Sequence, residues 1–180
     1  MSTVTLEELK YPIGKFTTPV SFSPLEIQQW VKVLEDLPAK LRNVVSPLSD
    51  AQLDTPYRDG GWTIRQVVHH LADSHMNCYI RFKLALTEDN PTIKPYYEER
   101  WAEQKEAKTA PVDVSLNILD GVHKRLVMVL NNISIDDLDR TFYHPETKLT
   151  RPLKNILALY AWHSNHHLAH ITSLMKRMSW

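Results

Sequence analysis

Apolar residues recur at three- and four-residue spacing through four separate stretches, the period of a helix with one buried face. The first face runs Ile27, Trp30, Val31, Leu34, Leu41, Val44, Val45 and Leu48. It opens at Ser23-Pro24-Leu25-Glu26, where serine caps, proline suits the first helical position and glutamate completes a capping box. Pro38 lies inside this stretch and is expected to kink the helix or divide it, because proline has no N–H for the carbonyl four residues back. The second face is Ile64, Val67, Val68, Leu71, Cys78, Phe82 and Leu86, with Thr63 and Gln66 as its capping box and an end expected near Leu86. A third helix, capped by Asp113, carries Leu116, Leu119, Val122, Leu126 and Leu130. The fourth opens at Thr150-Arg151-Pro152 and carries Leu153, Ile156, Leu157, Tyr160, Ile171, Leu174 and Met178. Lys176 and Arg177 complement the dipole at its end.

The connecting stretches follow from their prolines and glycines. Residues 1–22, with Pro12, Gly14 and Pro19, read as an extended arm. Asp59-Gly60-Gly61 is a turn. Residues 87–112 contain Pro91, Pro95 and Pro111 and cannot form one helix, although Glu98 to Lys108 has room for a short one. Long ordered excursions of this kind are often binding loops. Residues 134–150 read as a second irregular stretch, and no run of strands is convincing. The economical architecture is all-α: a single domain over residues 1–180, folded as a four-helix bundle with long irregular excursions and a site between facing helices.

Composition narrows the function classes. The chain has 180 residues, enough for one full core, with 21 basic and 21 acidic side chains and zero formal net charge. No basic run stands out, which argues against nucleic acid as a partner. No apolar run approaches about 18 residues, so no membrane span is expected, and the N-terminus shows no signal-peptide core. Cys78 is the single cysteine, so an internal disulfide is impossible; this fits a reducing, cytoplasmic compartment. Glycine is scarce, and neither a GxGxxG nor a P-loop pattern occurs.

The candidate chemistry is concentrated in the last helix. His163, His166, His167 and His170 are four of nine histidines, all within eight residues, and they fall within an arc of about 100°. His163 and His167 are an i, i+4 pair, the spacing of the two histidines in helical zinc motifs, here without the glutamate of H-E-x-x-H. His163, His167 and His170 continue the apolar stripe and therefore point inward. Several buried imidazoles are costly unless each finds a partner, and a divalent metal taking neutral nitrogens supplies one. Core histidines hydrogen-bonded to other side chains are the alternative. The second helix offers His69, His70 and His75. Periodicity puts His75 on the apolar face and His70 at its flank beside Ser74, Asn77 and Arg81; it does not choose between them. Cys78 lies on the apolar face, where a thiol stays inert. Trp62, Trp101, Trp162, Tyr96 and Tyr97 can wall an apolar pocket or simply pack.

Trp62-Thr63-Ile64-Arg65-Gln66-Val67-Val68-His69-His70-Leu71-Ala72-Asp73-Ser74-His75, followed far downstream by Trp162-His163-Ser164-Asn165-His166-His167, resembles the YfiT group of the DinB superfamily. The likeness includes Tyr11-Pro12-Ile13-Gly14, Leu53 through Gly61 and Phe142-Tyr143-His144-Pro145, and extends through almost the whole chain. It implies a four-helix bundle, usually a homodimer, with one divalent metal held by three histidines. One ligand is the histidine of a Trp, seven residues, His, Leu pattern, here His70. The other two sit four apart on the last helix, here His163 and His167. Members of the group are described provisionally as metal-dependent hydrolases, and relatives act as thiol S-transferases, including bacillithiol-dependent ones.

Three neutral imidazoles leave coordination positions open, the pattern of a catalytic site. Histidine suits zinc, nickel, cobalt or iron, so the ligands do not name the metal, of which nickel or zinc is expected; the ion can activate either water or a thiol. The expected partners are a small-molecule electrophile or hydrolysable substrate and a low-molecular-weight thiol. Asp73 is a candidate acceptor behind His70, and His166 and His170 are candidate proton shuttles or packing groups. The rival from another class is a non-catalytic bundle, stabilised by metal and serving as a binding or stress-response protein.

Overall fold

The structure, a computed structural model, describes residues 4–180. Its frame is four long helices: α2 (Pro24–Val45), α4 (Ile64–Thr87), α7 (Val112–Asn132) and α8 (Leu153–Met178). α1 (Leu6–Lys10), α3 (Asp50–Leu53), α5 (Glu98–Ala102) and α6 (Lys105–Thr109) are short; β1 (Thr141–His144) and β2 (Leu149–Pro152) form one hairpin. α2 packs on α7 and α8, and α4 packs on the same two, so each helix of one pair touches both of the other. The expected four-helix bundle is what forms.

Local chemistry explains the starts. Ser23 with Glu26, Ser49 with Gln52 and Thr63 with Gln66 are reciprocal capping boxes at α2, α3 and α4. Each satisfies two backbone N–H groups that a helix start leaves orphaned. Gly60 takes φ +60°, the left-handed conformation that turns the chain between α3 and α4.

Several expectations need correction. The N-terminal arm is not extended throughout, because Thr5 and Glu8 make a capping box and start α1 at Leu6. Pro38 does not divide α2, which runs unbroken to Val45. The carbonyl that Pro38 leaves without a helical partner, that of Leu34, is instead hydrogen-bonded to His123 Nδ1. Glu98 to Lys108 does not form one helix: Gln104 is extended, at φ −62° and ψ 149°, and separates α5 from α6. α7 starts after Pro111, with Asp113 in its first turn and not at its cap. The region read as irregular contains the β1–β2 hairpin, paired antiparallel from Thr141↔Pro152 to His144↔Leu149. Its four-residue strands are too short to show a period, and it is anchored by the fully buried Phe142.

The core is divided. One apolar cluster gathers Leu34, Phe82, Leu126, Phe142, Leu153 and Leu157; another gathers Leu41, Ile64, Leu71, Leu116, Leu119 and Ile171. Along α4 the residues between the two clusters include Ser74 and His75, along α7 His123, and along α8 His163, Ser164 and His167. A polar, histidine-rich layer thus crosses the bundle near its middle. Apolar packing on both sides keeps those imidazoles from rearranging freely.

Candidate metal centre

The site is set by the phase of two helices. The Thr63–Gln66 box fixes where α4 begins: Thr63 Oγ1 accepts from Gln66 N at 3.1 Å and Gln66 Oε1 accepts from Thr63 N at 2.9 Å. Gln66 Nε2 also donates to Ala102 O at 2.8 Å, tying α5 to α4. Arg65, almost wholly buried, donates to Asp54 at 2.6 Å, Asp50 at 2.7 Å and Ala110 O at 2.9 Å. Two turns into this clamped helix, His70 faces His163 and His167 of α8.

The three rings converge. Centroids lie 5.3 Å apart for His70 and His163, 4.8 Å for His70 and His167, and 4.5 Å for His163 and His167. One ring nitrogen from each lies within 4.8 Å of the others, and His70 Nε2 is 3.2 Å from His163 Nε2. An imidazole–metal bond of about 2.0–2.1 Å puts two ligand nitrogens of one ion roughly 3.0–3.5 Å apart, so the His70–His163 separation suits a shared cation. Burial, followed by the positive potential of His170, pushes His70 down to about 4. His163 and His167 are held well below the ordinary imidazole range by burial first and neighbouring imidazoles second. At neutral pH all three are uncharged and offer lone pairs. An all-nitrogen set suits zinc or nickel better than calcium or magnesium, which prefer oxygen.

Two cavities border these rings. A larger one, about 600 Å³, is lined by Tyr57, Arg58, Trp62, Gln66, His166 and His167. A smaller one, about 280 Å³, is lined by His70, Arg81, Tyr96, His144, Tyr160 and His163. Trp62 lies 4.7 Å from the His70 ring and 6.4 Å from that of His167, covering that flank.

The other candidate residues take distinct places. His69 is turned away: its Nδ1 meets Ser115 Oγ at 2.7 Å and its Nε2 donates to Ala110 O at 3.2 Å. His75 stands behind His163, its Nε2 3.3 Å from His163 Nδ1. His170 Nε2 donates to Lys10 O at 3.0 Å, and its Nδ1 is 3.4 Å from His167 Nδ1. His166 stacks on Trp162, with centroids 4.3 Å apart, and its buried Nδ1 has no partner among the described residues. Asp73 makes no hydrogen bond to the three converging imidazoles among the described residues; burial and Glu106 push it up to about 6. Cys78 is fully buried, and burial raises its thiol pKa steeply, as expected of an inert core cysteine. Tyr96 packs on Trp101 at 4.7 Å and lines the smaller cavity, while Tyr97 is exposed.

Sequence reasoning missed His123, and it noted Arg81 and His144 without giving either a place at the site. The signal for His123 was present, since it replaces an apolar residue in the stripe Leu119, His123, Leu126, Leu130. Arg81 and His144 reach the smaller cavity from different elements, and no spacing along the chain relates them.

Residues 33–171 match the profile of the DinB superfamily. The chain belongs to the DinB superfamily. Among its DinB-type relatives, a Bacillus cereus protein named provisionally as a metal-dependent hydrolase is 57% identical over 175 residues, covering 97% of this chain and 100% of the relative. YfiT of Bacillus subtilis, named in the same provisional way, is 53% identical over 177 residues, covering 98% and 99%. The solved structure of YfiT superposes with a TM-score of 0.93 at 54% identity, covering 96% of this chain and 99% of that one; it is described as having an unusual four-helix bundle topology. A mycothiol-dependent maleylpyruvate isomerase is similar in fold alone, with a TM-score of 0.58 at 16% identity over 78% of this chain and 60% of that one. No helix among the described residues is long and apolar enough to cross a membrane.

Proposed function

We propose that this DinB protein is a metal-dependent enzyme in which His70, His163 and His167 hold one divalent transition metal, nickel or zinc, and that it acts on a small molecule as a hydrolase or a thiol S-transferase. The observation that carries the reading is the convergence of three uncharged imidazole nitrogens where two cavities meet the bundle. The names of the Bacillus relatives support it. A divalent ion held there would supply Lewis acidity that favours the deprotonated form of a water or thiol nucleophile.

The chain's own residues supply the rest. Trp62 shields one flank of His70 from water. In the smaller cavity, Arg81 has a buried Nε with no partner among the described residues, leaving a guanidinium donor for an anionic substituent or leaving group. Ser74 and Tyr96 add hydroxyls to the same wall. Separate cavities give two organic reactants separate approaches to the histidines, an arrangement that thiol transfer needs and hydrolysis does not. The resemblance to the YfiT group extends the proposal to a cytoplasmic homodimer and a bacillithiol-type thiol.

The test is turnover of a small electrophile by nickel- or zinc-loaded protein, with candidate thiols and water competing. A thioether product supports S-transfer, and a hydroxylated product supports hydrolysis. Loaded protein that accelerates neither reaction over the metal-free chain rejects the enzyme reading in favour of a metal that only ties α4 to α8.

A further inference from the structure

We propose that His75 and His123 are positioning residues for the metal centre: a chain of imidazoles anchored on the Leu34 carbonyl fixes His163 with its proton on Nδ1 and its lone pair on Nε2. The inference rests on the reading of His163 as a ligand and assigns a role to two histidines outside the converging three.

The anchor is a defect in α2. In an α-helix the carbonyl of Leu34 would accept the N–H of residue 38, but residue 38 is proline and has none. His123 Nδ1 of α7 fills the vacancy. A carbonyl oxygen can only accept, so Nδ1 carries the proton of this ring. An uncharged imidazole has one N–H, so His123 Nε2 must accept. Its partner is His75 Nδ1 at 2.8 Å, which therefore donates. His75 Nε2 is left to accept, and it lies 3.3 Å from His163 Nδ1. His163 Nδ1 donates in turn, which leaves its Nε2 unprotonated. That nitrogen is the one 3.2 Å from His70 Nε2.

Every bond direction thus follows from one carbonyl. Reversing the chain would set the lone pair of His123 Nδ1 against that of the Leu34 oxygen. It would also put a proton on His163 Nε2, where it would block a cation. His75 is 0% and His123 1% exposed, so water does not compete for either ring. Among the described residues neither ring makes any hydrogen bond besides those of the chain itself. Metal-ligating histidines generally need their second nitrogen hydrogen-bonded to hold ring and tautomer. Here that acceptor is His75 Nε2, itself anchored through His123 on a backbone carbonyl of α2.

Two measurements test this. The first is ¹⁵N NMR of the imidazoles in the metal-free chain, with assignments made by single substitutions. His163, His75 and His123 are expected as Nδ1–H tautomers; a proton on His163 Nε2 would overturn the inference. The second is Zn²⁺ affinity, by competition with a chromophoric chelator, for the unaltered chain, His75→Phe and His75→Gln. Phenylalanine keeps the ring volume and removes both hydrogen bonds, and should weaken zinc binding about 10–100-fold. Glutamine can accept from His163 through its carbonyl and donate to His123 through its amide, and should restore most of the affinity. Unchanged affinity in His75→Phe, or a glutamine variant no better than the phenylalanine one, overturns the positioning role. If His75→Phe does not fold, the tautomers of the unaltered chain decide. A chain with every histidine in place that binds no zinc rejects the metal reading itself, whereas zinc binding indifferent to His75 rejects only the chain.

Discussion

His70 Nε2 and His163 Nε2 face each other at 3.2 Å across the α4–α8 contact, although 93 residues separate them in the chain. Two uncharged imidazoles that close must share a proton or a cation. The geometry distinguishes His70 from its neighbours on α4, since His69 is bound to Ser115 and Ala110 and His75 approaches only the far nitrogen of His163.

Alanine at His70, His163 or His167 is therefore expected to reduce bound metal from about one ion per chain to a small residue. Elemental analysis of the folded variants measures this. Full metal content in any one of the three would remove that residue from the ligand set.

Stability of the metal-free chain should fall with acid. His70, His123 and His166 are each held at about 4, and His75, His163 and His167 well below 6.5, chiefly by burial. Between pH 6.5 and 4 the unfolded chain therefore binds more protons than the folded one, so stability is full above 6.5 and is lost as pH drops through that window. Each such histidine can contribute up to about 1.4 kcal/mol per pH unit. Asp73, raised to about 6, acts in the opposite sense but is one group against several. Melting curves in the presence of a chelator should show a steep decline from pH 6.5 to 4; a flat profile would mean the imidazoles are not buried uncharged.

Removing Arg65 should loosen the frame without touching His70, His163 or His167. Its guanidinium joins α4 to Asp50, Asp54 and the Ala110 carbonyl, but both carboxylates are substantially exposed and keep their hydration when the arginine is lost. Arg65→Ala is expected to cost about 1–3 kcal/mol, seen as a lower denaturation midpoint. A change below a few tenths would show that the clamp contributes nothing.

Cys78 should be chemically silent in the native protein. A fully buried thiol with a raised pKa presents little thiolate to a reagent. Thiol-specific labelling is expected only after denaturant is added, and Cys78→Ala should keep its metal. Rapid labelling of the folded chain would contradict this.

A homodimer is expected on the strength of the resemblance to the YfiT group. Light scattering at working concentrations should give about twice the chain mass of 20.9 kDa. A monomer mass throughout would reject it.

The sequence by itself determined the four long helices, because each is amphipathic over many turns and two of them, α2 and α4, start with local capping boxes. It determined that the last helix carries a buried histidine cluster, since His163, His167 and His170 occupy the apolar stripe. Short elements escaped it. Strands of four residues have no period to read, and Gln104 breaks the α5–α6 stretch through its backbone conformation. That His70, and not His75, converges with both His163 and His167 was not legible from periodicity either, which says how a residue faces its own helix axis and nothing of what stands opposite. Only tertiary packing decided that His123 meets the carbonyl freed by Pro38 and that Arg81 and His144 share a cavity. Hydrogen bonds between helices depend on relative rotation and height in the bundle, and the summed packing of two apolar clusters sets those, not any single stretch of chain.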